Sequence, residues 1–195
     1  KTIKLITFTH SLEKYNKYVA GLLNIENPLE EEIIGPSESY VNKILKDAFP
    51  NVKLTYVLPK IPDIENNNPL GQDIWTELDK FILPKCVTQK EYCEEKIRRT
   101  GMKKAQNAGK RKAIWEAVEK IFTEWNKLEE QPVQYAIYKL VQKIENGEYT
   151  IPEELKTDYL FVDEAQDLSA ETLHLIRTTV RESMILAGDN DQSIF

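Results

Sequence analysis

Glycine is scarce in this chain, seven in 195 residues, and none of the seven opens a loop ending in Gly-Lys-Ser or Gly-Lys-Thr. Such a loop is the usual cradle for nucleotide phosphates, its backbone N–H groups wrapping the anion while the lysine neutralises it. The only Gly-Lys pair is Gly109-Lys110, with Arg111 where a hydroxyl residue is needed and Lys104 where the earlier glycine belongs. A self-contained phosphate loop is therefore excluded. Cysteine is rarer still. Cys86 and Cys93 could share a helix face at a separation of seven, but without His or further Cys partners they make neither a zinc site nor a disulfide framework, and idle thiols are expected. No apolar run approaches the roughly 18 residues that span a bilayer. No charged-then-apolar leader opens the chain either, so a cytoplasmic location with no membrane partner is the expectation. Strand-like sequence begins almost at Lys1, and Phe195 ends a motif with nothing after it, so both ends read as cuts within a longer protein.

What is present is strongly patterned. The net charge is −6, yet eight of the 26 basic residues and none of the 32 acidic ones fall between Lys96 and Lys112. Screening confines charge interactions to about 8 Å at physiological salt, so a phosphate backbone responds to that local surplus and not to the average.

Ile3 to Thr9 reads as a strand. A helix follows, with Leu12, Tyr15, Val19, Leu22 and Leu23 at helical spacing and Ser11 as its N-cap. Glu31–Gly35 suggests a second strand, Glu38–Ala48 a helix ended by Phe49-Pro50, and Val52–Leu58 a further alternating strand. Pro59, Pro62 and Pro69 then break regular structure. From Leu70 to about Gly147 the period is helical throughout, with helices expected around Ile74–Ile82, Tyr92–Ile97, Lys110–Glu130 and Pro132–Gly147. The third of these carries a broad apolar stripe from Ile114 to Leu128. From Tyr159 the α/β pattern returns: an apolar strand Tyr159–Val162, a helix capped by Ser169, and a second apolar strand Met184–Ala187. The pattern divides the chain at 1–64, 65–150 and 151–195: two pieces of one parallel-sheet α/β domain interrupted by a helical insertion.

Each of the last two strands delivers acids at its end. Asp163-Glu164-Ala165-Gln166-Asp167 follows one and Gly188-Asp189-Asn190-Asp191-Gln192 the other, placing carboxylates at the C-terminal edge of a parallel sheet, where open α/β folds bind ligands. An aspartate there can hold Mg²⁺ and an adjacent glutamate can polarise water for attack on a γ-phosphate. Strand plus Asp-Glu alone is equally compatible with a solvated turn.

Taken together, Asp163-Glu164-Ala165-Gln166-Asp167-Leu168-Ser169 and Leu186-Ala187-Gly188-Asp189-Asn190-Asp191-Gln192-Ser193-Ile194-Phe195 closely resemble motifs II and III of superfamily 1A DNA helicases of the UvrD, Rep and PcrA type. Leu5-Ile6-Thr7-Phe8-Thr9-His10 looks like motif Ia of the same family, with His10 where Asn is frequent, and Pro36-Ser37-Glu38-Ser39-Tyr40 is a poorly kept motif Ib. The resemblance implies a partial RecA-like domain carrying a helical domain 1B, and a parent enzyme that couples ATP hydrolysis to 3′ to 5′ movement on single-stranded DNA and to duplex unwinding. It implies that Asp163 helps hold Mg²⁺ on ATP and that Glu164 is the catalytic base. Gln166 and Gln192 would sense the γ-phosphate, with Gln192 taking part in catalysis, and Asp189 would orient that network. Thr7, Phe8, Thr9, His10 and Ser39 would meet single-stranded DNA; His10 as a plain loop residue stays open. Lys103, Lys104, Lys110, Arg111 and Lys112 would meet phosphates of forked DNA, with a solvated basic face as the alternative. Partners would be the remaining helicase domains as well as DNA and ATP. Two other classes stay in view: a non-catalytic DNA-binding or protein-interaction module, and a metal-dependent nuclease or phosphatase, which would leave Gln166 and Gln192 without a task.

Overall fold

A computed structural model describes residues 1–22, 34–94 and 106–189. In chain order the elements are β1 (Ile3–Thr7), α1 (His10–Leu22), β2 (Ile34–Pro36), α2 (Ser37–Ala48), β3 (Lys53–Thr55), α3 (Pro62–Asn67) and α4 (Gly71–Glu77). A π-helical turn (Leu78–Ile82) continues α4. Then come α5 (Gln89–Glu94), α6 (Ala108–Trp125), β4 (Glu130–Pro132), α7 (Val133–Glu145), β5 (Thr157–Val162), α8 (Ala170–Thr178) and β6 (Val180–Leu186). The chain separates into two compact units, residues 1–50 with 143–195 and residues 51–142.

The first unit is built on a four-stranded sheet in the order β2-β1-β5-β6, every pair parallel. Ile6 lies opposite Gly35 on one side and Val162 on the other, and Val162 in turn opposite Leu186. The C-terminal ends of the strands are thereby level, and the residues after each emerge along one edge. Because side chains alternate across a strand, Ile6, Leu160 and Val162 share a face and are buried, completed by Val41, Ile44 and Leu45 of α2 and Leu175 and Ile176 of α8. On the opposite face Ile3, Phe161 and Ile185 remain exposed at 52 %, 39 % and 47 %. Tyr40 ties the covered side together, its hydroxyl 2.8 Å from Thr179 Oγ1 and 3.3 Å from the Leu155 carbonyl that accepts from it. Burial pushes its pKa up.

The second unit is mainly helical around an aromatic core. Trp125 is fully buried; its ring packs against Trp75, Phe122 and Tyr135 at centroid distances of 6.3, 6.2 and 5.3 Å, and its Nε1 donates to the Pro59 carbonyl at 2.9 Å. Tyr138 donates to the Val87 carbonyl at 3.1 Å, and Tyr92 to the buried Glu77 carboxylate at 2.8 Å. The core aromatics thus bury rings and still satisfy most of their polar tips.

Several local expectations are corrected. Thr9, not Ser11, caps α1: its Oγ1 accepts from Leu12 N at 3.3 Å and its carbonyl from Glu13 N at 3.1 Å. The α1 stripe is only half an inner face, because Leu12 and Val19 are half-buried while Tyr15 and Leu22 point to solvent at 62 % and 66 %. The helix expected to reach Glu130 stops at Trp125, and Glu130–Pro132 pairs in parallel with β3, Lys53 opposite Glu130 and Thr55 opposite Pro132. Ser169 precedes α8, but its hydroxyl bonds Thr172 Oγ1 at 2.9 Å and no backbone N–H. The two cysteines are free and do not share a helix: Cys86 is buried in a turn at φ 48°, and Cys93, in α5, has its thiol pKa raised by burial.

Candidate functional site

Strand β5 is continuous through Val162 because it is paired on both sides, with β1 as far as Ile6 and with β6 as far as Leu186. Asp163 extends the ladder by one bond, its N–H donating to the Ile6 carbonyl at 2.9 Å. The chain then turns sharply. Glu164 sits at φ 52°, ψ 42°, the left-handed region that costs a non-glycine residue energy and is concentrated at functional sites. Its N–H donates to Asp163 Oδ1 at 3.1 Å, and a single 3-10 turn over Ala165–Asp167 follows.

The neighbouring strand closes on this turn. Ala187 N donates to the Val162 carbonyl at 2.8 Å and Ala165 N to the Ala187 carbonyl at 2.9 Å, so the two acidic segments are stitched by backbone bonds where the sheet ends. Gln166 joins them by its side chain. Its Nε2 donates to Glu164 Oε2 at 2.5 Å, and its Oε1 accepts from the Asp189 N–H at 3.2 Å. One amide thus holds the Glu164 carboxylate and reports the position of the Asp189 backbone. That approach needs Gly188, where a Cβ would collide with Gln166 Oε1. Asp163, Glu164 and Gln166 are all half-exposed, open to a ligand from the edge of the sheet. Among the described residues no three His, Cys, Asp or Glu side chains converge on one point. The half-exposed Asp163 carboxylate is the kind of donor that Mg²⁺ takes, one or two carboxylates completed by water and substrate phosphates. Gln192 lies outside the described residues.

A second concavity of about 360 Å³ opens beside β1 and β2. His10 and Glu13 of α1 and Ser39 and Lys43 of α2 line it, with the Lys4 ammonium 5.2 Å from the Tyr40 ring centroid. His10 Nδ1 lies 3.1 Å from Glu13 Oε2, and Lys17 Nζ 2.8 Å from the other Glu13 oxygen. Lys17 first, then His10, holds the Glu13 carboxyl below its usual range. Thr7 is fully buried, its hydroxyl donating to the Thr9 carbonyl at 3.1 Å, and it does not line this concavity; Phe8 is 40 % exposed.

The basic residues fall in the second unit. Lys110 is paired with Asp73 at 2.7 Å, Arg111 Nη2 donates to the Cys93 carbonyl at 3.1 Å, and Lys112 is exposed. Lys103 and Lys104 lie outside the described residues. Sequence reading missed Gly188, Lys43 and Glu13. Gly188 carried a signal, a glycine directly after a buried strand, but the reason for it is a contact with a residue of another loop.

A parallel α/β sheet with an acid pair at the end of an inner strand and a second acidic loop beside it defines a partial RecA-like domain. The family comparison agrees: residues 3–195 match the UvrD/REP helicase N-terminal domain, and the chain belongs to that family of ATP-dependent helicases. No curated protein matches the chain.

Proposed function

We propose that this chain is the hydrolytic part of a DNA helicase or translocase that couples ATP hydrolysis to 3′ to 5′ movement on single-stranded DNA and to opening of forked duplexes. The observation that carries the reading is Gln166, whose one amide is bonded both to the Glu164 carboxylate and to the Asp189 backbone. In a hydrolytic site this gives Glu164 a fixed orientation. Water attacks the γ-phosphorus, a P–O bond forms as the bond to the β-phosphate oxygen breaks, and Glu164 takes the water's proton. Asp163 would hold Mg²⁺, which when bound neutralises the phosphate oxygens. Loss of the γ-phosphate would shift Gln166 and with it the Asp189 loop. The metal-dependent nuclease or phosphatase reading gives this amide bridge no work.

The concavity beside β1 and β2 would take single-stranded DNA, His10, Ser39 and Lys43 meeting the backbone and Phe8 a base. Lys112 and the neighbouring basic segment would add salt-dependent, sequence-independent contacts. Because a phosphate loop is not among the 195 residues, the chain by itself is expected to bind DNA without turning over ATP. Fluorescence anisotropy with single-stranded and forked oligonucleotides at low and high salt tests the first half, alongside an Mg²⁺–ATP turnover assay. Salt-sensitive binding weakened by Lys43→Ala with no turnover is the expected result; absence of binding at low salt, or turnover by the chain alone, would overturn the assignment.

A further inference from the structure

His10 is one of two histidines in the chain, and histidine is the side chain whose ordinary titration falls between pH 5 and 8. It is the first residue of α1 and lines the concavity of about 360 Å³ beside β1 and β2. Its side chain is 71 % exposed, and among the described residues its ring is bonded only to Glu13, with Nδ1 3.1 Å from Oε2.

That bond sets the state of the ring. An ionised carboxylate only accepts, so Nδ1 carries the hydrogen, and in a neutral imidazole the other nitrogen, Nε2, is then an acceptor. Glu13 stays ionised through the window in which a histidine titrates, because Lys17 first and then His10 hold its carboxyl below its ordinary 4.5. Protonation therefore turns Nε2 from an acceptor into a charged donor while leaving the Glu13 bond in place. A phosphate oxygen gains nothing from Nε2 of the neutral ring and a charge-assisted hydrogen bond from the protonated one.

The surroundings leave this change uncompensated. On α1, Lys17 lies 2.8 Å from Glu13 and offsets it, and Lys14 is exposed one turn beyond His10. Of the strands packed against α1, β1 supplies Lys4 and β2, Ile34–Pro36, supplies no charge; α2 adds Lys43 and Tyr40, whose phenol burial keeps neutral. Among these residue types only histidine ordinarily changes charge between pH 5 and 8. The place of His10 in the first turn couples the proton to an anion, since the positive end of the helix dipole disfavours a cation there and favours a phosphate.

We propose that protonation of His10 strengthens the hold of this concavity on single-stranded DNA, Nε2–H donating to a backbone phosphate, so that affinity rises as pH falls from 8 to 6. The inference rests on the reading of the concavity as a DNA site.

The test is fluorescence anisotropy with an oligothymidylate at pH 8.0 and 6.0 over a range of salt, on the chain and its Lys43→Ala, His10→Gln and His174→Gln variants. The chain should bind about threefold tighter at pH 6.0, with a log–log salt slope steeper by up to about 0.7. His10→Gln should lose that pH-dependent gain. His174→Gln should keep it, because His174 pairs with Glu145 at 3.3 Å between α8 and α7 and does not line the concavity. By reciprocity, the oligothymidylate should move the His10 ring-proton titration, followed by NMR, to higher pH and leave that of His174 in place. A gain that persists in His10→Gln, or no gain in the chain while Lys43→Ala still weakens binding, would overturn the proposal and leave the DNA reading standing. Absence of binding at both pH values would overturn both.

Discussion

In the second unit all three tryptophans are at most 7 % exposed, and rings from α4, α6 and α7 interlock around Trp125, whereas the first unit leaves Ile3, Phe161 and Ile185 open on one side of its sheet. Parallel sheets are ordinarily covered on both faces. The first unit therefore rests its stability on the side that α2 and α8 cover, and it carries its acidic loops at the strand ends. The second has a filled core. A closed core makes single large side chains indispensable, while a half-covered sheet makes the worth of a residue depend on which way its strand points it.

The largest effect is expected at Trp125. Trp125→Ala removes three ring contacts and a hydrogen bond and should cost about 3–5 kcal/mol, read from urea denaturation. Next come two neighbours in β5. Leu160→Ala, on the covered face, should cost about 2–4 kcal/mol, and Phe161→Ala, on the open face, under about 1 kcal/mol. Equal costs would break the contrast between the two faces. Gly188→Ala should change stability by no more than about 1 kcal/mol, because the Cβ meets the end of a flexible side chain, yet displace Gln166. A shifted Gln166 side-chain amide signal, with the remaining spectrum unchanged, is the readout.

The smallest effect concerns pH. Glu153 is lowered mainly by Lys156 and then Arg181, and Asp158 mainly by the Thr2 backbone N–H and then Arg181. Folded carboxylates lowered below their ordinary values of 4.5 and 3.8 contribute stability that is fully present above those values and is lost as pH falls through the lowered ones. Glu153 is exposed and Asp158 lies half-buried at the surface, so Arg181→Ala should only slightly flatten the acid limb of a stability–pH curve.

Much of this was legible in the residues. Two short apolar runs each ending in acids identify neighbouring parallel strands and the edge where the site lies, because a short apolar run bounded by turn residues reads as a strand even though Phe161 and Ile185 prove exposed. Strand β4 was not legible: three residues between two long helices carry no period of their own, and only pairing with β3, distant in sequence, makes them a strand. The outward turn of Tyr15 and Leu22 escaped for a related reason, since spacing shows that residues share a side of a helix but not how wide a side is covered. In the site, Asp163 and Glu164 could be named from their strand. The Gln166 bridge and the need for Gly188 could not, because both arise from a loop-to-loop approach set by sheet register.

The central claim is that Glu164, held by Gln166, is the base for hydrolysis. Its most direct test is single-turnover ATP hydrolysis by a protein carrying these 195 residues together with a Gly-Lys-Thr phosphate loop, compared with its Glu164→Gln variant. Nucleotide binding should be retained and the hydrolysis step should slow by about 10²–10⁴-fold. Hydrolysis at the parent rate in Glu164→Gln, with binding intact, would contradict the account.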